Sequence, residues 1–105
     1  MPEHQAILDE CVQRLEQHYG EELAGMVLYG SVARGAEDEE SDIDLLVLLK
    51  SEFDRWQEIQ AITDVLFPVQ MKCDRYISAK PVAAADYREG RLAFLRRAKA
   101  EGVRL

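Results

Sequence analysis

The chain has 105 residues, 48% of them hydrophobic, and carries a formal net charge of −7 at pH 7. This length predicts a single domain over residues 1–105, large enough for a modest core. The negative charge argues against stable, sequence-independent binding of nucleic acid, which depends on Lys and Arg neutralising phosphates, and it suits a basic protein partner. No apolar run is long enough to span a membrane, and the acidic start of the chain lacks the pattern of a signal peptide, so we expect a cytoplasmic protein.

The first predicted elements are a helix and a strand. Apolar residues recur at intervals of three and four over residues 3–19, which predicts an amphipathic helix. Gly20 is a suitable end for it, because a left-handed glycine often closes a helix. An apolar stretch then predicts a strand over residues 24–29. Cys11 and Cys73 are too few and too far apart for a disulfide framework or a zinc site, so both are predicted to be small buried hydrophobes.

Two short polar motifs follow the first predicted strand. Gly30 and Ser31 end it abruptly, and a glycine beside a hydroxyl and exposed N–H groups suits a phosphate. Asp42 and Asp44 open a second predicted strand, 42–49, and residues two apart on a strand point to the same face. Two such carboxylates repel each other unless a cation lies between them, and Mg²⁺ prefers carboxylates together with substrate phosphates. Together the motifs predict a site for a metal-bound nucleoside triphosphate, whereas either alone also suits a hairpin with a solvated acidic tip.

A helix is predicted after the second strand. Ser51 and Asp54 resemble a capping box, and the apolar spacing after them predicts a helix to about Leu66. Pro68 is expected to break this helix. Trp56 would allow base stacking, but a tryptophan at this spacing is more often part of the core or of an interface.

The last part of the chain is predicted to hold a strand and a final helical region. Alternation over residues 69–77 predicts a strand whose polar face carries Gln70, Lys72 and Asp74 and whose buried face carries Val69, Met71 and Cys73. Pro81 is expected to open a helical region that Gly90 interrupts and Gly102 ends. The alternation of helices and strands predicts an α/β (α+β) fold with one small sheet flanked by helices.

The polar motifs resemble those of a known family. Gly30-Ser31, ten intervening residues and Asp42-Ile43-Asp44 resemble the signature of the DNA polymerase beta-like nucleotidyltransferase superfamily. The fuller string GSVARG…SDIDLLV resembles its smallest members, the minimal nucleotidyltransferases, many of which are encoded beside a HEPN-domain protein as toxin–antitoxin pairs. The resemblance implies a mixed sheet whose first two strands are antiparallel. It also implies Mg²⁺-dependent transfer of a nucleoside monophosphate, such as AMP from ATP, to a hydroxyl, and a tyrosine of a HEPN toxin as a plausible acceptor.

In this family a third carboxylate comes from a later strand. Asp74 is the only acid in the third predicted strand, so the resemblance implies that Asp42, Asp44 and Asp74 are the catalytic residues and the ligands of up to two Mg²⁺ ions. Arg75 follows Asp74 at a position where the family has an apolar residue. The alternative is therefore a structural ion pair between Asp74 and Arg75.

Arg34 is a further candidate for nucleotide binding. It lies close in sequence to Gly30 and Ser31, and its guanidinium has a planar fork of donors that suits a phosphate. The alternative is a surface arginine that balances the acidic run 37–40. Gly30, Ser31 and Arg34 are thus the predicted nucleotide-binding residues.

The sequence leaves two functions open. The first is a nucleotidyltransferase that uses ATP or another nucleoside triphosphate and acts on a partner protein. The second is a non-catalytic antitoxin that binds its partner stoichiometrically. Asp42 and Asp44 favour the first, since an idle site has no physical reason to keep two repelling carboxylates. The sequence does not determine the acceptor, the preferred base or whether the chain forms a homo- or hetero-oligomer.

Overall fold

The computed structural model describes residues 2–30 and 42–105, and helices and strands alternate along them. The elements in chain order are helix α1 (Pro2–Tyr19), a 3-10 turn (Gly20–Glu22), strands β1 (Leu23–Tyr29) and β2 (Ile43–Leu49), helix α2 (Arg55–Gln70), strand β3 (Ile77–Ala83), helices α3 (Ala84–Glu89) and α4 (Ala93–Glu101), and strand β4 (Val103–Arg104). The predicted first helix and first two strands are confirmed to within one residue.

The strands form one mixed sheet in the order β3-β2-β1-β4. Strand β1 pairs antiparallel with both β2 and β4, whereas β2 and β3 are parallel. This arrangement confirms the predicted small mixed sheet with helices packed against it and antiparallel first strands. Strand β4 was not predicted, because two residues are too few to give a periodic signal.

The core lies on both faces of the sheet. The α1–α2 face packs the β2 side chains Ile43, Leu45, Val47 and Leu49 against helices α1 and α2. The α3–α4 face packs Leu46 and Leu48, the other β2 side chains of this core, against helices α3 and α4. All six of these side chains are at most 2% exposed, which confirms that β2 is a central strand.

Helix α2 begins and ends later than the sequence predicts. Its N-cap is Asp54, whose Oδ1 accepts a hydrogen bond from the Gln57 N–H at 3.0 Å, so the predicted cap at Ser51 is wrong. The helix also continues through Pro68 to Gln70. A proline in a helix costs about 3 kcal/mol through its missing N–H and its steric clash. Val69 is fully buried in the core one residue later, and this packing holds the last turn in place.

The third strand lies further along the chain than predicted. Residues 71–76 form the connection between α2 and β3, and Met71, predicted to be buried, is 69% exposed. The predicted strand 69–77 is therefore wrong, as is the helix start at Pro81, which lies inside β3. Strand β3 lies at the edge of the sheet and pairs with β2 on one side. The Ile43 N–H donates to the Tyr76 carbonyl, so the N–H of residue 77, and of every second residue after it, points away from β2. Pro81 occupies one of these positions, so no hydrogen bond of the sheet is lost.

Other predictions concern single residues. Gly90 closes α3 in the left-handed region, with φ 64°, and Gly102 ends α4, as predicted. Cys11 is fully buried, which raises the pKa of its thiol to about 12, and half-buried Cys73 packs against the same core but lies outside any strand. Trp56 is 78% exposed, so it is not part of the core, and its alternative assignment to an interface stays a prediction. No helix in the described part of the chain has the length and apolar character to cross a membrane.

Candidate active site

The candidate site lies where β1 ends beside the start of β2. The antiparallel register places Tyr29 opposite Asp44, so Gly30 follows directly at the end of β1. Asp42 is exposed and immediately precedes β2, whereas Asp44 is half-buried within the strand. The fold therefore brings the glycine and the two carboxylates of the predicted motifs to one end of the sheet.

Gly30 lies directly against the carboxylate of Asp44. Its φ is 82°, in the region that favours glycine, and a Cβ placed on it would lie 2.5 Å from Oδ2 of Asp44. A side chain at this position would displace the carboxylate. The structure thus gives a local reason for a glycine at position 30, because a residue without a side chain lets the backbone pass beside Asp44 as the chain leaves the sheet.

The charged form of Asp44 is disfavoured in the protein alone. Burial raises the pKa of Asp44 above its ordinary value, and the negative charge of Asp42 raises it further, while the positive charge of Lys80 partly opposes both. The two aspartates therefore interact electrostatically, as their spacing on the strand predicts. The charge of a cation bound beside them would offset both unfavourable effects.

Tyr29 borders the same carboxylate. Burial raises the pKa of its hydroxyl, and the charge of Asp44 adds to the effect. The phenol is therefore held in its neutral form at physiological pH. It supplies a hydroxyl donor and an aromatic ring at the edge of the site.

Strand β3 contributes two side chains that sequence analysis missed. Ser78 lies beside Asp44 in the parallel register, and exposed Lys80 follows on the same face of the sheet. The sequence placed its third strand over 69–77 and so did not consider either residue. The signal that could have found them is the length of α2, since a helix to Gln70 moves the strand to this segment.

Asp74 lies in the connection between α2 and β3, where its side chain is exposed. Gln70 fixes the two ends of the bend that follows: its Nε2 donates to the Arg75 carbonyl at 2.8 Å, and its Oε1 accepts from the Ile77 N–H at 2.8 Å. Among residues 2–30 and 42–105, no three His, Cys, Asp or Glu side chains form a group that could hold a metal ion. The structure thus brings Asp42 and Asp44 together without adding Asp74, whose catalytic role stays a prediction.

Ser31 and Arg34 lie outside the described residues. Their predicted contacts with phosphate also stay predictions. Of the predicted nucleotide-binding residues, Gly30 is the one that the structure places, and it places it beside Asp44.

The fold is similar to that of a solved structure. A crystal structure described as that of a "putative nucleotidyltransferase" from Sulfolobus solfataricus superposes with a TM-score of 0.68, over 94% of this chain and 76% of that chain. The two sequences are 18% identical, so this similarity establishes the fold alone. It confirms the α/β nucleotidyltransferase fold predicted from the sequence.

The sequence places the chain within that class. The profile of the family described as nucleotidyltransferase domain matches residues 8–97, which is most of the chain. The chain therefore belongs to the nucleotidyltransferase domain family, a family of enzymes.

Two relatives come from Methanocaldococcus jannaschii, and each carries the name "Putative protein adenylyltransferase". One is 49% identical over 45 residues, which cover 43% of this chain and 31% of that protein. The other is 41% identical over 72 residues, which cover 69% of this chain and 72% of that protein. The matched segment thus spans less than a third of the first relative and nearly three quarters of the second.

Proposed function

We propose that the protein is a Mg²⁺-dependent nucleotidyltransferase that transfers AMP from ATP, or the monophosphate of another nucleoside triphosphate, to a hydroxyl of a partner protein. The observation that carries the proposal is the contact of Gly30 with Asp44 beside Asp42, within a nucleotidyltransferase domain. The names of the two archaeal relatives support adenylyl transfer to a protein. The resemblance to minimal nucleotidyltransferases supports a tyrosine of a HEPN-type toxin as the acceptor.

The two aspartates fit a hard divalent cation. Carboxylate oxygens are the protein ligands that Mg²⁺ takes together with substrate phosphates. Asp44 is half-buried and repelled by Asp42, so a bound divalent cation would stabilise the charged form of both carboxylates. Mg²⁺ bound there would favour deprotonation of the attacking hydroxyl, whose oxygen bonds to the α-phosphorus as the bond to pyrophosphate breaks. It would also stabilise the charge that develops on the pyrophosphate leaving group.

The remaining side chains hold and orient the substrate. Because Gly30 has no side chain, the phosphates can contact the backbone at the end of β1 and lie beside Asp44 at the same time. Lys80 supplies a positive charge on the same face for the phosphates. Tyr29, held neutral, can donate its hydroxyl hydrogen to an oxygen of the substrate. Ser31 and Arg34 are the proposed further phosphate contacts.

A second candidate is an antitoxin that binds its partner stoichiometrically without catalysis. One observation favours it: within the described ranges, no third carboxylate joins Asp42 and Asp44. The net charge of −7 suits a basic protein partner for either candidate.

The deciding experiment measures transfer of label to protein. The chain is incubated with Mg²⁺, a candidate partner and ATP labelled at the α-phosphate, and the label on each protein is read after denaturing electrophoresis. Transfer that depends on Mg²⁺, with none from ATP labelled at the γ-phosphate, is expected and separates adenylylation from phosphorylation. Neutralisation of the partner without any label on protein would favour the stoichiometric candidate.

Asp74→Asn decides the number of carboxylates in the site. If Asp74 is the third ligand, transfer falls strongly while Mg²⁺–ATP still binds through Asp42 and Asp44. Unchanged transfer would leave a site of two carboxylates and remove Asp74 from the catalytic residues. Asp54→Asn is the matched control, because Asp54 is an exposed aspartate that caps α2 away from the site, and asparagine is also a good cap.

A further inference from the structure

A cleft opens directly beside Gly30, between the end of β1 and helix α4. It has a volume of about 200 Å³, and its walls are Tyr29 and Gly30 on one side and one stripe of α4 on the other. The stripe consists of residues spaced three and four apart, which lie next to one another on a helix: Phe94, Arg97, Ala98 and Glu101. The cleft therefore shares Gly30 with the candidate active site.

Helix α4 is held firmly against β1, so the cleft has fixed walls. Leu95 and Ala98 are buried in the core of the α3–α4 face. At the other end of the helix, a Cβ on Gly102 would lie 2.7 Å from Cγ1 of Val27, so the chain passes β1 at close range. The pairing of β4 with β1 then fixes the end of the chain on the same strand.

The chemistry of the walls suits a flat aromatic ligand. Phe94 is a large apolar side chain that stays 43% exposed although its neighbour Leu95 is buried. Arg97 lies one turn further along and makes no ion pair with the described residues, so its guanidinium is available at the rim. Tyr29 adds a half-buried phenol to the wall of the cleft. A ligand with an aromatic ring could thus stack on the exposed ring of Phe94, with hydrogen-bond donors beside the polar groups at the ligand's edge.

We propose that this cleft holds the base of the nucleoside triphosphate, with the base stacked on Phe94 and Arg97 at its edge. The proposal rests on the proposed function, since it takes the phosphates to lie at Gly30 and Asp44. The base then lies on the side of Gly30 opposite β3. Stacking on a phenyl ring discriminates weakly among bases, so any base preference comes from the polar rim.

The size of the cleft supports a base rather than a whole nucleotide. Pockets that enclose a drug-sized ligand have volumes of roughly 300–1,000 Å³. About 200 Å³ suits one ring system, with the sugar and phosphates outside the cleft and toward the carboxylates. The acceptor's aromatic side chain is the competing occupant, and the experiment below separates the two.

The test compares two ligands that share phosphates and differ in the base. The dissociation constants of ATP and inorganic tripolyphosphate are measured in Mg²⁺ by isothermal titration calorimetry, for the wild-type chain and for Phe94→Ala. Loss of one base–aromatic stack corresponds to a weakening of roughly 5- to 150-fold. We expect this loss for ATP alone, with the affinity for tripolyphosphate unchanged.

Two further variants make the result specific. Phe94→Trp keeps an aromatic platform and should retain most of the affinity for ATP. Trp56→Ala is the control, because Trp56 is an exposed aromatic side chain, 78% accessible, on helix α2 and does not line this cleft, and it should leave both affinities unchanged. Thermal unfolding of each variant confirms that it is folded before titration.

The outcomes separate this inference from the function on which it rests. Equal affinity of the wild-type chain for ATP and tripolyphosphate, or no change in Phe94→Ala, would overturn the base site while leaving the phosphate site in place. A normal affinity for ATP in Phe94→Ala with a raised KM for the acceptor would assign the cleft to the acceptor instead. No binding of either ligand to the wild-type chain would overturn the proposed function itself.

Discussion

The two faces of the sheet use the same strand in different ways. On the α1–α2 face, the side chains of β2 are apolar from the first residue, Ile43, to the last, Leu49, and all are buried. On the α3–α4 face, Leu46 and Leu48 are buried, but the position nearest the start of the strand is Asp44. The core is thus complete on one face and stops one position short on the other.

This difference shows how a small domain can carry a polar site. Full burial of Leu45 and its neighbours on the first face holds β2 in the centre of the sheet whatever lies at Asp44. The second face can then keep a half-buried carboxylate whose charge is disfavoured by burial and by Asp42. One face of β2 at this end thus supports the fold while the other carries the candidate site, so substitutions of Leu45 and Asp44 should have opposite effects on stability.

The largest expected effect on stability is at Leu45. Leu45→Ala removes a fully buried side chain and leaves a cavity, so the free energy of unfolding should fall by about 2–5 kcal/mol. Urea denaturation followed by circular dichroism measures the change. Leu45→Met conserves volume and should cost less than about 1.5 kcal/mol. Equal stability of the alanine variant and the wild type would mean that this face does not hold the strand.

The adjacent residue on the opposite face should give the reverse result. Asp44→Asn is expected to reduce transfer by at least about 100-fold, because even residues that only support a metal ligand typically cost 10- to 100-fold. Its stability without metal should equal or exceed that of the wild type, since a disfavoured charge is removed. Asp42→Asn should behave in the same way. Rates of label transfer and urea denaturation of the same preparations check both parts, and full activity or unfolding of either variant would contradict the assignment as metal ligands.

The pH dependence of stability gives an independent check on Asp44. Because the pKa of Asp44 is raised in the folded state, the unfolded chain loses this proton first as the pH rises. In metal-free buffer, Asp44 therefore lowers the free energy of unfolding as the pH rises through the usual aspartate range. The full reduction is reached above the pKa that Asp44 has in the folded state. Asp44→Asn should gain stability relative to the wild type over that same interval. The difference should disappear at a pH below both values.

Ligand binding should offset the cost that Asp44 imposes. Mg²⁺ with ATP is expected to stabilise the fold more than either alone, by about 2.7 kcal/mol at a hundredfold excess over Kd. Thermal unfolding with and without EDTA measures the effect, and Asp44→Asn is the control that should lose it. Equal shifts in the wild type and in Asp44→Asn would place ATP binding elsewhere on the molecule.

The sequence was most informative where a local pattern has a single structural solution. A strand that ends in glycine and a pair of aspartates two apart predicted one site for Gly30 and Asp44, and in the structure the two residues lie side by side. The buried run after Asp44 likewise predicted a central strand. These features depend on neighbours in sequence and on the alternation of a strand.

The sequence was misleading where two periodicities overlap. Val69 is apolar at a position that fits both the end of a helix and the start of an alternating strand, and Pro68 favoured the second interpretation. The helix continues here because Val69 packs into the core and the Gln70 side chain accepts a hydrogen bond from the Ile77 N–H. Neither interaction can be predicted from the residues adjacent in sequence. Because β3 begins later than predicted, Asp74 lies in the connection before it, and Ser78 is the residue beside Asp44.

The smallest effect that we predict concerns the helices over the α1–α2 face. The hydroxyl of Tyr19 at the end of α1 donates to Oε1 of Glu58 in α2 at 2.8 Å, so Tyr19→Phe removes one link between the two helices and keeps the ring. The cost should be about 0.5–1.5 kcal/mol in the free energy of unfolding near neutral pH.

Burial, and then the bond to Glu58, raises the pKa of Tyr19, so the wild type should also lose stability as the pH rises through about 10, the usual value for tyrosine. Tyr19→Phe should lack that alkaline loss, and urea denaturation at pH 7 and pH 10.5 tests both statements. Glu58→Gln, which keeps the acceptor oxygen, is the control that should retain most of the stability at pH 7. A Tyr19→Phe variant as stable as the wild type at pH 7 would show that the apolar contacts beneath the helices hold this face without the link.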